Sequence, residues 1–190
     1  MGELGRKSIH ILFGSLFILS SMVFGGFATM LATIACLVGG ITVSYLMQQG
    51  LEFPVFSLAV ELFEREHEKH LPGKGAIMFF AGATAMMYLA LFVFREEAII
   101  APALVPLVLG DGIATIAGTK LGRHHITGGK SLEGTLAGLF ATMIGLSFFL
   151  WPLYVKIIAV SLVAMLAELL PVNDNLTIPI ASSIVLYIML

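Results

Sequence analysis

Long apolar runs, almost free of charge, divide the chain and limit the folds open to it more than any other feature. Only 12% of the 190 residues are charged, about half the share of a soluble domain. A helix needs about 20 apolar residues to cross the hydrocarbon core of a bilayer. Windows near this length lie at residues 9–25, 27–46, 75–94, 98–118, 134–150, 153–170 and 176–190. The sequence therefore predicts an all-α integral membrane protein with about seven transmembrane helices, forming a single polytopic domain over residues 1–190.

The distribution of cations between the loops predicts an orientation. With the N-terminus inside, eight Lys and Arg residues fall on that side of the membrane, and Arg95 and Lys156 fall on the other. We therefore expect a cell-membrane protein whose N-terminus and polar loops face the cytoplasm. Within 48–74, Phe53 and Phe56 begin an apolar stripe at helical spacing, which predicts an amphipathic helix at the cytoplasmic surface. A plain solvated connector is the alternative for that segment.

Carboxylates, cations and glycines occur together in one stretch, between residues 110 and 138. Lys130 offers a point charge for phosphate, whereas Asp111 and Glu133 offer oxygen ligands for a hard cation. The combination suits a magnesium nucleotide. It is not a P-loop, because His124 occupies the position of the first glycine of that motif.

Asp111 lies inside the fourth apolar window, seven residues before Gly118. A carboxylate at such a depth costs about 3 kcal/mol on insertion scales, which predicts a functional residue. Asp111→Asn is then expected to remove activity without loss of stability, because it removes a costly buried charge. A neutral, hydrogen-bonded structural Asp is the alternative. Ala114, Gly118 and Gly122 continue the same helix face, a stripe that suits either close helix packing or the approach of a ligand.

Three further polar groups fall on the same predicted face of the membrane. Lys7 and His10, with Arg6, share one helix face at the start of the first window, although a packed structural histidine is an alternative for His10. Lys130 precedes the fifth window, where the positive end of a helix favours an anion. Asp174 begins the last window and is a second candidate metal ligand, although Asn and Asp also serve there as ordinary helix caps.

These groups form three motifs that follow one another in the chain. They read Arg6-Lys7-x-x-His10-x-x-x-Gly14, then Asp111-x-x-Ala114-x-x-x-Gly118-x-x-x-Gly122 with Lys130-Ser131-x-Glu133-Gly134, and last Asp174-Asn175-Leu-Thr-Ile-Pro179. In this order they resemble the membrane family of CTP-dependent polyprenol kinases. That family includes dolichol kinase, phytol kinase and a CTP-using diacylglycerol kinase, and it is similar to the phosphatidate cytidylyltransferases. The resemblance covers nearly the whole chain.

The resemblance implies transfer of the γ-phosphoryl group of CTP to a long-chain isoprenoid alcohol, such as dolichol or another polyprenol, at the cytoplasmic membrane face. It implies that the catalytic residues are Asp111, Lys130, His10 and Asp174. Mg²⁺ would be held by Asp111, Asp174 and Glu133. The implied nucleotide-binding residues are Arg6, Lys7, Ala114, Gly118, Gly122, Arg123, Gly129, Lys130, Ser131, Glu133 and Gly134. Whether His10 or an aspartate receives the alcohol proton stays open.

Two alternative functions use the same residues. A CTP-dependent cytidylyltransferase acting on a lipid phosphate would share the central motif, and a small transporter would use Asp111 as a buried relay. The transporter is disfavoured because the polar groups gather on one face instead of spanning the bilayer. The lipid alcohol itself stays open among dolichol, polyprenol, phytol and diacylglycerol, as does a homo-oligomer. No nucleic-acid partner is expected.

Overall fold

A computed structural model describes residues 3–54, 56–57 and 71–190. Within these residues the regular secondary structure is helical, apart from one isolated β-bridge between His125 and Ser131. The helices are α1 (Glu3–Phe24), α2 (Gly26–Gln48), α3 (Lys74–Tyr88), α4 (Glu97–Leu121), α5 (Leu132–Leu150), α6 (Tyr154–Glu168) and α7 (Asp174–Ile188). A π-helical turn, Leu89–Phe94, continues α3.

The lengths and surfaces of these helices are those of a membrane protein. Five helical runs in the described residues, those of α1 to α5, are long and apolar enough to cross a bilayer. Only 11% of the apolar window of α1 is buried, so its side chains would expose a large apolar surface if water surrounded them. The predicted all-α membrane fold is confirmed. The number of spans stays a prediction, because α6 and α7 have 15 residues each and a span needs about 20.

The amphipathic helix predicted between the second and third windows lies largely outside the described residues, which omit 55 and 58–70. Phe53 and Phe56, at the start of the predicted stripe, are described and have their ring centroids 6.4 Å apart.

The central helix of the bundle is α4. Its apolar window is 72% buried, against 39% or less for each of the other four. It packs against α1, α5, α6 and α7 and also contacts α3. Leu104, Leu107 and Val108 are completely buried within these contacts. The residues that α4 carries are therefore surrounded by protein over most of its length, whereas α1 and α2 present most of theirs to lipid.

A proline interrupts α4 just before Asp111. Pro106 has no N–H for the regular α-helical bond, and its ring crowds the preceding turn. The helix widens here into a π-helical turn, Pro106–Gly110, in which the Asp111 N–H donates to the Pro106 carbonyl. Regular α-helix resumes over Asp111–Leu121. Such widened turns are frequent at functional sites, and this one directly precedes the most deeply buried carboxylate of the polar groups.

One end of the bundle, here called the polar end, contains Lys7, Asp111, Lys130, Glu168 and Asp174. Hydrogen bonds join the start of α1 to α4, and join the α4–α5 connection to the end of α6 and the start of α7. The gathering of polar groups on one face, expected from the sequence, is therefore present in the structure. Which side of the membrane this end faces stays a prediction.

Glycines allow α5 to pack closely on α4. A Cβ atom at Gly138 would lie 2.8 Å from each of three atoms, namely Ala114 Cβ, Gly110 O and Met165 Sδ. A Cβ atom at Gly134 would lie 2.6 Å from the Ala114 carbonyl oxygen. The small-residue stripe predicted on α4 thus meets a matching stripe on α5, as in other close helix pairs in membranes. The packing interpretation is confirmed, and ligand contact by the same residues stays a prediction.

We expect Gly138→Ala to lower the thermal stability of the detergent-solubilised protein, because overpacking a well-filled contact costs about 1–3 kcal/mol. Gly39→Ala in α2 is the matched control, since a Cβ atom there meets nothing within 4 Å. Alanine is also the better helix former, by about 0.5–1 kcal/mol. Thermal unfolding measures both variants. An unchanged melting temperature for Gly138→Ala would contradict the close packing of α4 and α5.

Candidate functional site

Lys7 and Asp111 form a buried ion pair between α1 and α4. The Lys7 Nζ donates a hydrogen bond to Asp111 Oδ2, and the two side chains are 4% and 1% exposed. Thr115, one turn further along α4, lies 3.5 Å from Asp111 Oδ1 through its hydroxyl. Attraction between the two charges is strong away from water, and it opposes the cost of removing both from solvent. The structure therefore brings together residues from the first and second sequence motifs.

His10 lies beside this pair, one turn beyond Lys7 on α1. Its Nε2 is 2.9 Å from the Leu107 carbonyl oxygen and 3.7 Å from Asp111 Oδ2. A carbonyl oxygen only accepts hydrogen bonds, so Nε2 carries the hydrogen and donates it. The ring also packs edge-on against Phe79, with centroids 4.9 Å apart. The Nε2 atom is consequently a donor in this arrangement and not a proton acceptor.

Lys130 extends from the α4–α5 connection toward α6 and α7. Its Nζ donates to the Glu168 carbonyl at 2.6 Å, to Glu168 Oε1 at 3.1 Å and to Asp174 Oδ2 at 3.4 Å. A cation is favourable at the last carbonyl groups of a helix, which lack partners within the helix. The Glu168 side chain is 4% exposed, whereas those of Lys130 and Asp174 are 26% and 30% exposed. The ammonium group is thus held by three oxygens, on a side chain that is itself partly exposed.

The two ion-pair groups belong to one electrostatic site. The positive charge of Lys130 attracts the Asp111 carboxylate, and the negative charges of Asp111 and Asp174 both repel a charge on Glu168. The polar end therefore combines two lysines with three carboxylates, and it is formed by α1, α4, α6, α7 and the connection that precedes α5. These five side chains have two positive and three negative formal charges, a sum of −1, and the neighbouring Arg6 adds one positive charge.

The connection between α4 and α5 folds as a short hairpin-like turn. The Ile126 N–H donates to the Lys130 carbonyl at 2.8 Å. Gly128 and Gly129 have φ angles of 62° and 78°, a region that is favourable mainly for glycine. Gly129 lies at the exposed tip. This turn sets the position from which Lys130 reaches the polar end.

Ser131 is the N-cap of α5, since its Oγ accepts from the Gly134 N–H at 3.1 Å. Cβ atoms at Gly118 and Gly122 would lie 3.1 Å and 2.8 Å from the same Ser131 oxygen. These predicted nucleotide-binding residues are therefore covered by the chain itself. Arg6, which precedes Lys7 on α1, is partly buried. Nucleotide binding by these residues stays a prediction.

The three predicted magnesium ligands have three different cationic or polar partners. Asp111 pairs with Lys7 and Asp174 with Lys130, as above. Glu133 lies 2.6 Å from His124 Nδ1 through Oε1 and accepts from the Arg123 N–H at 3.0 Å through Oε2. In the described part of the chain, no group of three or more His, Cys, Asp or Glu residues is placed to hold a metal ion. A magnesium site made by these residues stays a prediction.

Glu168 is the residue of this site to which the sequence assigns no catalytic, nucleotide-binding or metal role. It lies in the sixth apolar window, and its place one and a half turns before Asp174 only suggests that this segment does more than cap a helix. The signal was available, because a carboxylate within an apolar window is the same feature that identified Asp111. Its position six residues before Asp174 gave no indication that Lys130 would join the two.

The ion pair reverses the expectation that Asp111→Asn leaves stability intact, because that change leaves Lys7 as an uncompensated buried charge. Lys7→Met and Asp111→Asn are each expected to destabilise the protein by about 3–5 kcal/mol, and Lys7→Met/Asp111→Leu to recover most of that loss. Thermal unfolding of the three variants measures this. Additive losses in the double variant would contradict the pair.

Comparisons with known proteins find relatives that are named as phytol kinases. The chain is 30% identical over 98% of its length to phytol kinase 1 (chloroplastic) of Arabidopsis thaliana, and covers 66% of that protein. It is 30% identical over 96% of its length to probable phytol kinase 3 (chloroplastic) of Glycine max, and covers 62%. It is also 30% identical over 94% of its length to an uncharacterized protein of Methanocaldococcus jannaschii, and covers 90%.

The chain therefore spans slightly less than two thirds of the length of these phytol kinases. No family model matches it, and no solved structure does so. The similarity to the phytol kinases extends over nearly the whole chain, and the buried charges of the first and second motifs meet in one site. The chain belongs to the polyprenol kinase-like family of membrane proteins, together with the phytol kinases.

Proposed function

We propose that the chain transfers the γ-phosphoryl group of CTP to the hydroxyl of an isoprenoid alcohol at the polar end. One observation carries this proposal. The ammonium group of the partly exposed Lys130 contacts the carboxylates of α6 and α7, and it also interacts electrostatically with Asp111 of the buried Lys7–Asp111 pair. The names of the phytol kinases support an isoprenoid alcohol as the acceptor. CTP as the donor rests on the resemblance of the central motif, and the cytoplasmic face rests on the distribution of cations.

The polar end suits phosphoryl transfer because that reaction needs positioning and charge neutralisation more than covalent participation by the protein. Lys130 offers a point charge for phosphate, and its side chain is partly exposed. Its three contacts hold it in one position, so little reorganisation is needed when charge develops on the transferring group. Lys7 and Arg6 supply further positive charge from α1.

The polar end has no net positive charge even when Arg6 is counted, because three cations face three carboxylates, so we expect a cation to enter with the triphosphate. The residues present fit Mg²⁺, which prefers oxygen ligands and takes one or two carboxylates together with substrate phosphates. Asp174 is partly exposed, and the adjacent Asn175 Oδ1 is buried without a hydrogen-bond partner. These two residues would hold the ion. Asp174 is itself paired with Lys130, but that contact is long, at 3.4 Å, and partly exposed, whereas Asp111 is buried in its pair with Lys7. Bound Mg²⁺ would neutralise phosphate charge.

An apolar groove of about 260 Å³ suits the isoprenoid chain. It lies between α1, α4 and α5, the helices that carry or follow Lys7, Asp111 and Lys130. Its lining residues are Ser15, Ile18, Val105, Leu109, Ile144, Gly145, Phe148 and Phe149. Leu109 and Val105 precede Asp111 by two and six residues, which places them roughly 3 to 9 Å along the helix axis. An alcohol in this groove would direct its hydroxyl toward the polar end.

CTP labelled in turn at the α- and γ-phosphorus tests the proposed reaction with the purified protein, Mg²⁺ and phytol or polyprenol. We expect the γ-label to enter the lipid and CDP to be released, because the hydroxyl attacks the terminal phosphorus. Transfer of the α-label to a lipid phosphate, with release of pyrophosphate, would overturn the kinase and establish a cytidylyltransferase. Absence of label in any lipid would overturn both.

Ser15→Phe tests the groove. Ser15 faces outward on α1, so the larger ring is expected to fill the groove without disturbing packing. We expect the KM for a long isoprenoid alcohol to rise about tenfold and the KM for CTP to stay unchanged, since only one substrate loses uniform binding. Leu16→Phe is the matched control, because Leu16 is 52% exposed and lies outside the groove. If both changes raised the KM for the alcohol equally, the isoprenoid chain would not bind in this groove.

A further inference from the structure

Glu168 ends in a carboxylate oxygen that lacks a partner. The side chain is 4% exposed, and its Oε1 accepts from Lys130 at 3.1 Å. Its Oε2 is buried and has no hydrogen-bond partner among the described residues. Buried polar atoms without partners are rare in native structures, because an unmade hydrogen bond costs free energy away from water. This oxygen is therefore suited to accept a hydrogen bond from a group that is brought by a ligand.

The other carboxylates around the polar end are all occupied. Both side-chain oxygens of Asp111, of Asp174 and of Glu133 accept from neighbouring groups of the chain. The remaining predicted base, His10, carries its hydrogen on Nε2, which is bonded to a carbonyl oxygen, and this leaves Nδ1 as its acceptor nitrogen. Within the described residues, Oε2 of Glu168 is consequently the carboxylate oxygen at this end that is left to accept a proton.

Lys130 connects this oxygen to the reacting phosphate. Its Nζ contacts both the carbonyl and Oε1 of Glu168, while 26% of the Lys130 side chain stays exposed. A phosphoryl group bound by this ammonium would be separated from the Glu168 carboxylate only by the Lys130 ammonium group. A hydroxyl that donates to Oε2 would share this carboxylate with Lys130, which would bring it close to a phosphoryl group bound by the ammonium, as a general base requires.

We propose that Glu168 is the general base of the reaction, an assignment that rests on the proposed kinase function. The alcohol O–H bond breaks and its proton passes to Oε2. The alcohol oxygen forms a bond to the γ-phosphorus, the bond from that phosphorus to the β-bridging oxygen breaks, and CDP leaves. The proton on Glu168 is then released to solvent, so that atoms and charges balance over one turnover.

Glu168→Gln is the test, because Gln keeps the shape and an oxygen for Lys130 but does not take up a proton. Loss of a general base lowers kcat by about 10²- to 10⁴-fold, and we expect a loss in that range. The KM for CTP is expected to change less than about threefold, since Lys130 stays in place. Glu96→Gln is the matched control, the same chemical change at the opposite end of the bundle, and is expected to leave both constants unchanged.

The pH profile of kcat/KM separates catalysis from structure. Wild-type activity is expected to rise with pH along an acidic limb as Glu168 loses its proton, and Glu168→Gln is expected to lack that limb. The charged groups that act on Glu168 are Lys130, Asp174 and Asp111, and all three are retained in the variant. Glu168→Asp keeps a carboxylate, so we expect its pH profile to keep an acidic limb, shifted in pH, and its kcat to be lower. This variant tests the general base if Glu168→Gln does not fold.

Each outcome bears on one assignment. A wild-type protein that phosphorylates no isoprenoid alcohol would overturn the proposed function and this inference together. Normal wild-type transfer with an intact acidic limb in Glu168→Gln would overturn this inference alone. If Glu168→Gln needed more Mg²⁺ and kept the acidic limb, the carboxylate would be a metal ligand, and the general-base inference would likewise be overturned. In Glu168→Asp, unchanged kcat and limb would do the same.

Discussion

A charge in the interior of a membrane bundle requires a partner, and the Lys7–Asp111 pair meets that requirement for two of the most buried charges of the polar end. Either residue alone would be costly at this depth, and together they join the start of α1 to the central helix. The pair places Lys7 and His10 beside the polar groups of α4 instead of leaving α1 as a separate anchor in lipid. The wider turn at Pro106–Gly110 contributes to this arrangement, because His10 donates to the carbonyl of Leu107 within it.

Close packing of α4 and α5 determines where the second half of the site lies. Because Gly134 and Gly138 have no side chain, α5 approaches the backbone of α4 directly. The short turn between the two helices then holds Lys130 near their common end, where it reaches the last residue of α6 and the first of α7. A lysine in a surface loop thereby becomes a fixed cation with carboxylates around it, which is a suitable starting point for handling phosphate.

A lipid alcohol and a water-soluble nucleotide meet only at the boundary between hydrocarbon and water, and the proposed site lies at such a boundary. The groove between α1, α4 and α5 is apolar, and the polar end beyond it is charged and partly open to solvent. The proposed reaction therefore needs no movement of the isoprenoid chain out of the membrane. The occupied oxygens of Asp111 and Asp174 contrast with the unpartnered Oε2 of Glu168, and this difference distinguishes residues that hold charges in place from one that is free to accept a proton.

The apolar runs and their length by themselves determined the all-α membrane fold, because hydrocarbon admits few other backbones. The depth of Asp111 also identified it, since a carboxylate in an apolar window is unfavourable wherever the helix packs. Sequence spacing did not determine the partners. Lys7 and Asp111 are 104 positions apart, and Lys130 and Glu168 are 38 apart, so only the packing of α1, α4, α5 and α6 decided that they meet. The same packing left one oxygen of Glu168 without a partner, because hydrogen bonding of a buried side chain depends on which helices surround it and not on its neighbours along the chain.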